Sequence, residues 1–302
     1  MGDTSQTRAG RNPAAERHPL FRETPGIVAL LADEQDFDAM RRYAPFSGMD
    51  GHPAYLRLAE ELLRTLAARG AHTALALFDP ARFEGFCAES GLDPGTPEAR
   101  ARYTAEIAGR GTTVPYDGQP LDQLLPLLVS TAERRAGLDR ATTLLATAGD
   151  CADCGEDIGR AAYTRATRAL AELLEAAGPG THHLVCSVPA GDTPLTAVLH
   201  TGAAREGGPS GIPEEDALHF CSVLAAGIAT DSPGGVVMRT EHTERNDQVR
   251  GWVLRHAWPR PLTGAEVFTA YCTDPLTGEP VPPEPGVDHL PGIPLPEPGD
   301  GC

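Results

Sequence analysis

The stretch Ile27-Val28-Ala29-Leu30-Leu31-Ala32-Asp33 decides the fold class of the first half of the chain. A short apolar run closed by an acidic residue predicts a strand that is buried on both faces. A helical pattern follows from Glu34 to Tyr43, and after a longer helix comes a second buried strand, Thr73 to Phe78. Strands that alternate with helices are typical of a parallel α/β layer. We therefore predict a three-layer α/β lobe with a short parallel sheet over residues 25–150.

The second half of the chain has a different pattern. The segments Thr181 to Val188 and Leu195 to His200 have strand character and lie close together in the sequence. A further pair of alternating segments flanks the turn-rich stretch Glu244 to Asp247, which predicts a hairpin. With helices before and between these strands, residues 159–272 are predicted to form an α+β lobe with a mostly antiparallel sheet.

The two ends of the chain lack such patterns. Residues 1–24 are polar and rich in arginine, which predicts a flexible N-terminal arm. Residues 273–302 form a proline-rich tail, which predicts an extended chain. This tail is expected either to lie on the protein surface or to be unstructured, and it is a candidate peptide ligand for a partner.

The basic residues are unusual, because all 25 of them are arginine. Together with abundant Ala, Gly and Pro, this composition resembles that of actinobacterial proteins. The lack of lysine excludes a Schiff base with pyridoxal phosphate, any other lysine-bound cofactor, and a phosphate-binding loop of the Walker type. Any phosphate would have to be bound by arginine, by backbone N–H groups or by a metal ion.

The net charge and the cysteine count restrict the partners and the compartment. The formal net charge is −17, which disfavours a nucleic-acid partner because phosphates attract basic surfaces. No apolar run approaches the length of a membrane span, and the N-terminus lacks the apolar core of a signal peptide. The seven cysteines are an odd number, typical of reduced thiols. A cytoplasmic location without membrane contact is expected.

The segment 151–158 contains two cysteines three residues apart, Cys151 and Cys154, followed by Gly155. Two such thiols form half of a structural zinc site, which needs four ligands. The nearest further candidates are His182, His183 and Cys186, but along a strand His183 and Cys186 lie roughly 10 Å apart, so one of these two at most could join. We predict Cys151, Cys154 and His183 as zinc ligands at a junction between the two lobes.

The string from Cys151 to Ile158 resembles the first half of the zinc finger of the DksA/TraR family. That family has a second Cys-x-x-Cys where this chain has a helical pattern around Arg168 without cysteine, so the family's function is not carried over. Two other interpretations stay open. In the first, the thiols form a redox pair, although the neighbouring acids disfavour a thiolate. Alternatively, the segment is a plain turn in which Asp157 caps the next helix.

Acidic residues stand at the ends of three predicted strands, namely Asp33, Asp79 and Asp117. Ligands of open parallel sheets bind beyond the carboxyl ends of the strands, and converging carboxylates there could hold Mg²⁺ for phosphoester hydrolysis. Helix capping is the competing interpretation. Asp79 followed by Pro80 is typical of a helix N-terminus, and Asp33 also precedes a predicted helix.

The favoured function is therefore a non-enzymatic intracellular binding or regulatory protein with a candidate structural zinc ion. Its expected partner is another protein or a second copy of the chain. A Mg²⁺-dependent phosphoester hydrolase that uses the three strand-end aspartates is the alternative. A thiol redox protein is the further alternative.

Overall fold

The computed structural model describes five parts of the chain, residues 26–109, 112–191, 193–202, 212–274 and 277–297. The chain divides into two compact units, Met1–Glu133 and Arg134–Cys302. This division falls within a long helix and not at the Cys-x-x-Cys turn, where we expected the junction. The predicted arm 1–24 lies outside the described residues. No helix in the described parts is long and apolar enough to cross a membrane.

The N-terminal unit contains a three-stranded sheet in the order β1 (Ile27–Leu30), β2 (Thr73–Leu77) and β3 (Val114–Tyr116). The first two strands are parallel, as predicted, and Leu30 pairs with Leu77. The third strand is antiparallel to β2, so that Tyr116 at its end pairs with Thr73 at the start of β2. A strand of only three residues has no pattern that reveals its direction. The direction of β3 depends on the path of the chain through the two helices between β2 and β3.

Helices cover both faces of this sheet. Alternate residues of β1 point to opposite sides, so Leu30 packs in one cluster with Leu63 and Leu75, and Ala29 packs in another with Phe37. The predicted three layers are thus confirmed. The helical segments are α1 (Glu34–Met40), a 3₁₀ turn (Phe46–Gly48), α2 (His52–Ala68), α3 (Pro80–Ser90), α4 (Pro97–Gly109) and α5 (Leu121–Ala146), which extends into the second unit.

The C-terminal unit contains a six-stranded sheet that is mostly antiparallel, as predicted. Five strands follow the order β5-β4-β6-β7-β8, and the short β9 pairs in parallel with β7. The strands are β4 (Thr181–Val188), β5 (Leu195–Thr201), β6 (Gly235–Glu241), β7 (Asp247–Arg255), β8 (Trp258–Pro261) and β9 (Val287–His289). The helices of this unit are α6 (Ile158–Ala177), α7 (Glu214–Ala229) and α8 (Gly264–Tyr271).

One face of the larger sheet forms the core of the C-terminal unit. Residues of β4 alternate between buried and more exposed, so Leu184, Cys186 and Val188 are buried while the residues between them are not. The buried side chains pack with Phe220 and Leu224 of α7, whose inner turns are almost wholly apolar. The α7 helix contacts β4 and β5 directly, and α6 packs on α7. Strands buried on one side only produce this period of two.

The described parts of the proline-rich tail are residues 273–274 and 277–297, and the second of them lies on the C-terminal unit. The indole Nε1 of Trp252 donates to the carbonyl of Ile293 at 2.8 Å, and Arg250 donates to the carbonyl of Pro291 at 2.8 Å. The guanidinium of Arg239 forms two parallel bonds with Glu284, of 3.0 and 3.1 Å. Of the two predicted states of the tail, the structure therefore selects the surface-bound one, held by backbone and charge contacts.

Gly292 allows the tail to approach the sheet closely. A Cβ atom at this position would lie 2.4 Å from the carbonyl oxygen of Gly251 and 2.9 Å from Pro261. We expect Gly292→Ala to displace this part of the tail and to lower the free energy of unfolding by about 1–3 kcal/mol. Urea unfolding measures this change. Trp fluorescence follows the unfolding, because Trp252 is bonded to Ile293 of the tail in the folded protein and loses this bond.

The control for this substitution is Gly202→Ala, where an added Cβ meets no atom of the described residues within 4 Å. It should change the free energy of unfolding by less than about 0.5 kcal/mol. Equal stability of the two variants would mean that the tail contributes nothing at this contact.

Candidate functional site

The face of the C-terminal sheet opposite α7 is partly open. On this face Val185 of β4 pairs with Val198 of β5 on one side and with Val237 of β6 on the other. Val185 and Val198 are 39% and 42% exposed, although both are apolar residues of regular strands. We call this row of three valines with the neighbouring His183 and His200 the open face.

Two histidines and a glutamate meet at one end of the open face. His183 of β4 lies directly across from His200 of β5, and their Nδ1 atoms are 2.5 Å apart. The other ring nitrogen of His183, Nε2, lies 2.7 Å from the carboxylate of Glu241 on β6. An ionised carboxylate only accepts hydrogen bonds, so His183 carries its proton on Nε2. When His183 is neutral, its Nδ1 is then an acceptor, and His200 donates from Nδ1.

The cation beside this cluster is already neutralised. Arg239 pairs with His183 in the strand register, but its guanidinium binds Asp247 and Glu284. Hydrogen bonds to these two carboxylates raise the pKa of Arg239 above its usual range. Hydrogen bonds from the His242 backbone N–H and from Arg239 lower the pKa of Asp247. Arg239 therefore ties the tail to the sheet, and the accessible chemistry of the open face rests on its histidines and Glu241.

The Cys-x-x-Cys segment forms a closed turn in the C-terminal unit. The N–H of Gly155 donates to the carbonyl of Cys151 at 2.8 Å, and the N–H of Cys151 donates to the backbone carbonyl of Glu156 at 2.8 Å. Gly155 has a φ of 73°, which residues with a side chain rarely adopt. Asp157 accepts from the N–H of Arg160, so its predicted role as the cap of α6 is confirmed.

The predicted zinc site of Cys151, Cys154 and His183 is not assembled. Among the described residues, no group of three His, Cys, Asp or Glu side chains could hold a metal ion. His183 instead lies on the open face with His200 and Glu241. Cys186, the other candidate, faces the core, where burial and the nearby Cys221 raise the pKa of its thiol to about 12. Among the described residues, neither Cys151 nor Cys154 takes part in a disulfide.

A small cavity of about 120 Å³ adjoins this turn. Its lining is mainly apolar, from Ile158, Ala161 and Ile228 among others, with Cys151 and Arg165 at its side. Pockets that enclose organic ligands have volumes of about 300–1,000 Å³. The cavity is therefore too small for an organic substrate.

The strand-end aspartates do not converge as a set of three. Asp33 and Asp79 follow the paired ends of the parallel strands β1 and β2, whereas Asp117 follows β3, which is antiparallel and ends beside the start of β2. The prediction that all three meet is wrong for this reason. Asp33 accepts from the N–H of Asp36 at 2.8 Å, and Asp79 accepts from the N–H of Arg82 at 3.0 Å. The capping interpretation of both residues is confirmed.

Asp36 lies close enough to both capping residues, Asp33 and Asp79, to be influenced by their charges. Burial raises the pKa of its carboxyl, and the charges of Asp33 and Asp79 add to this effect, while His52 opposes it. His52 itself contacts the carbonyl of Leu31 at 3.0 Å through Nε2. Together with the capping bonds, these contacts place Asp33 and Asp36 at the start of α1 and Asp79 at the start of α3.

Sequence reasoning did not identify Glu241 or the pairing of His183 with His200. The two strands were predicted, and each histidine stands at an outward position of its strand. Their register was the missing information. A hairpin alignment that keeps the apolar residues of both strands on one face would have placed both histidines on the other face, without setting them opposite each other.

A test of the capping role uses Asp79→Ala. Loss of a side-chain cap exposes an unsatisfied backbone N–H of α3, so we expect the free energy of unfolding to fall by about 1 kcal/mol. Chemical unfolding followed by circular dichroism measures this change. The matched control is Asp117→Ala, since Asp117 is exposed and should be nearly neutral, within about 0.5 kcal/mol. If Asp79→Ala is as stable as the control, the cap has no structural role.

His219 on α7 is a buried titratable group. Its side chain is 4% exposed, and its Nε2 has no hydrogen-bond partner in the described part of the chain. Burial and the charge of Arg134 lower its pKa, whereas Asp216, bound to Arg134 at 2.8 Å, opposes this shift. The imidazole is therefore held neutral in the core of the C-terminal unit.

This burial predicts a loss of stability in mild acid. The unfolded chain takes up a proton at His219 near its ordinary pKa of about 6.5, while the folded chain resists protonation to lower pH. The free energy of unfolding should therefore fall as pH decreases from about 6.5 towards the lower folded pKa. Urea unfolding at a series of pH values measures the slope. His219→Gln should flatten it, and exposed His72→Gln should not; identical slopes in all three proteins would contradict the prediction.

The comparison with known families concerns the N-terminal unit. Residues 15–119 match a family model described as a domain of unknown function (DUF8829). The match covers less than half of the chain. Comparisons with curated proteins and with solved structures gave no match. The N-terminal unit is thus similar to a domain without a described activity, and the open face lies outside the matched residues.

Proposed function

We propose that the chain is a non-enzymatic binding or regulatory protein and that its open face binds a protein partner. The row of valines on three neighbouring strands carries this proposal, because Val185, Val198 and Val237 lie side by side. Single exposed apolar residues are common on protein surfaces, but contiguous ones mark sites of interaction. Two of these three side chains are more than a third exposed.

The edge of the sheet adds a second reason. The β5 strand pairs with β4 alone in the described sheet and ends the strand order on that side. An edge strand presents unpaired backbone N–H and C=O groups, to which an extended segment of another protein can add. The valine row and this edge are adjacent, so one partner could use both.

Two other classes of partner fit less well. The cavity of about 120 Å³ beside Cys151 is too small for an organic substrate. The net charge of −17 opposes binding to nucleic acids. A protein partner with apolar side chains on its surface needs neither a large pocket nor a basic surface on this chain.

The other functions that the sequence suggested have less support. A magnesium-dependent hydrolase would need Asp117 beside Asp33 and Asp79, and the antiparallel β3 separates them. A structural zinc ion at Cys151 and Cys154 would need further ligands that the described residues do not bring together. A redox role of the two thiols stays a weaker alternative, because four acidic residues flank them, Asp150, Asp153, Glu156 and Asp157.

The test replaces a valine of the open face by a charge. Val198→Glu should weaken binding of a partner by about ten-fold or more, because a carboxylate would be desolvated in the interface. Partners are identified by affinity capture and mass spectrometry, and the direct interaction is then measured by calorimetry with both proteins purified. Sedimentation velocity measures association with a second copy.

The matched control is Leu218→Glu, an equally apolar residue that is 44% exposed on α7, the helix that covers the other face of the sheet. Direct binding that Val198→Glu loses and Leu218→Glu keeps would support the proposal, whether the partner is another protein or a second copy. If every interaction of the purified wild-type protein survives in Val198→Glu, the open face is not the binding surface.

A further inference from the structure

We infer that His183 and His200 form a two-ligand site for a divalent transition-metal ion on the open face. The register of β4 and β5 sets the two residues directly opposite each other. Their Nδ1 atoms point at one another across 2.5 Å, and the ring centroids are 4.7 Å apart. Two imidazole nitrogens that converge in this way share a single proton, and a metal ion can occupy the position between them once that proton has moved to Nε2 of His200.

Glu241 prepares His183 for this role. Its carboxylate accepts the Nε2 proton of His183 at 2.7 Å and so keeps the lone pair on Nδ1, towards His200. Histidines that bind metal ions usually donate their other ring N–H to a carboxylate or a carbonyl, which fixes the tautomer and the ring orientation. Glu241 is therefore a positioning residue, and the three side chains come from three adjacent strands.

The change needed to admit an ion is small. Two nitrogens bound to one tetrahedral zinc ion at about 2.0 Å each lie roughly 3.3 Å apart. The Nδ1 atoms therefore have to separate by less than about 1 Å, which side-chain rotation on an open face allows. On binding, the proton of His200 moves from Nδ1 to Nε2 through the solvent, so neither the charge of the neutral pair nor its proton count changes.

The chemistry of the site selects the class of ion. Neutral imidazoles suit Zn²⁺, Ni²⁺ and Cu²⁺ and not Mg²⁺ or Ca²⁺, which prefer oxygen ligands. No third side chain of the described residues completes a group that could hold the ion, so water fills the other positions. The nearby Arg239 does not repel it strongly, because Asp247 and Glu284 offset its charge.

This inference goes beyond the proposed function, since it requires no protein partner. The two are also separable by experiment. Val198→Glu leaves both imidazoles in place, and the titration described next uses the purified full-length chain alone.

The experiment is a calorimetric titration with Zn²⁺ at neutral pH. We expect one zinc ion per chain in the wild-type protein, and loss of this binding in His183→Ala and in His200→Ala, since each removes half of the protein ligands. Both side chains lie on the sheet surface, so circular dichroism should show unchanged folding. His72→Ala, another exposed histidine, is the matched control and should bind as the wild type does.

A second variant separates the histidine pair from the cysteine turn. Cys154→Ser should keep the calorimetric binding, because the exposed thiol of Cys154 is not part of the site. If Cys154→Ser abolishes zinc binding while the two histidine variants keep it, the site belongs to the turn and the inference is overturned. It is equally overturned if the wild-type protein binds no zinc.

The role of Glu241 is tested by the tautomer of His183. Nitrogen-15 NMR of the histidine rings should show His183 protonated at Nε2 in the wild-type protein, and a shift towards the Nδ1 tautomer in Glu241→Ala. The same variant should bind zinc about ten-fold more weakly. Zinc should also move the Nδ1 signals of His183 and His200 and leave buried His182 unchanged. An unchanged tautomer with unchanged affinity would remove Glu241 from the site.

Discussion

The one-sided burial of the C-terminal sheet is the constraint on which the open face depends. The α7 helix packs against one side of β4 and β5, where Leu184 and Leu199 are fully buried. Side chains of a strand alternate with a period of two, so a slip of one residue would turn every buried side chain towards solvent. The packing under α7 therefore fixes the pairing of Val185 with Val198 and of His183 with His200 on the other side.

The two edges of this sheet differ, and that asymmetry follows from the tail. The β7 strand is paired along its outer edge by β8 and by β9 of the proline-rich segment. Arg239, Arg250 and Trp252 hold this segment through charge and backbone contacts. The opposite edge, formed by β5, has no such strand in the described sheet. In the described sheet, β5 is thus an edge strand that the tail does not pair with, and it lies beside the valines of the open face.

The acids of the N-terminal unit illustrate how a structural role can imitate a catalytic one. Aspartates at strand ends suggest a metal site, but Asp33 and Asp79 use their carboxylates to satisfy backbone N–H groups of α1 and α3. The same pattern at Asp157 begins α6 after the cysteine turn. A carboxylate near a helix N-terminus also complements the positive end of the helix dipole. These residues stabilise helices, and the features that suggest binding lie in the other unit.

Local features of this protein were determined by the sequence itself. The buried strands β1 and β2, the caps Asp33 and Asp79, and the alternation of β4 depend on interactions between residues close in the chain, so their patterns are legible there. The direction of β3, the boundary inside α5 and the surface-bound tail were decided by tertiary structure. So was the meeting of His183, His200 and Glu241, and with it the exclusion of His183 from the cysteine turn. The physical reason is that strand register and direction depend on which distant apolar faces pack together, and no local pattern encodes that choice.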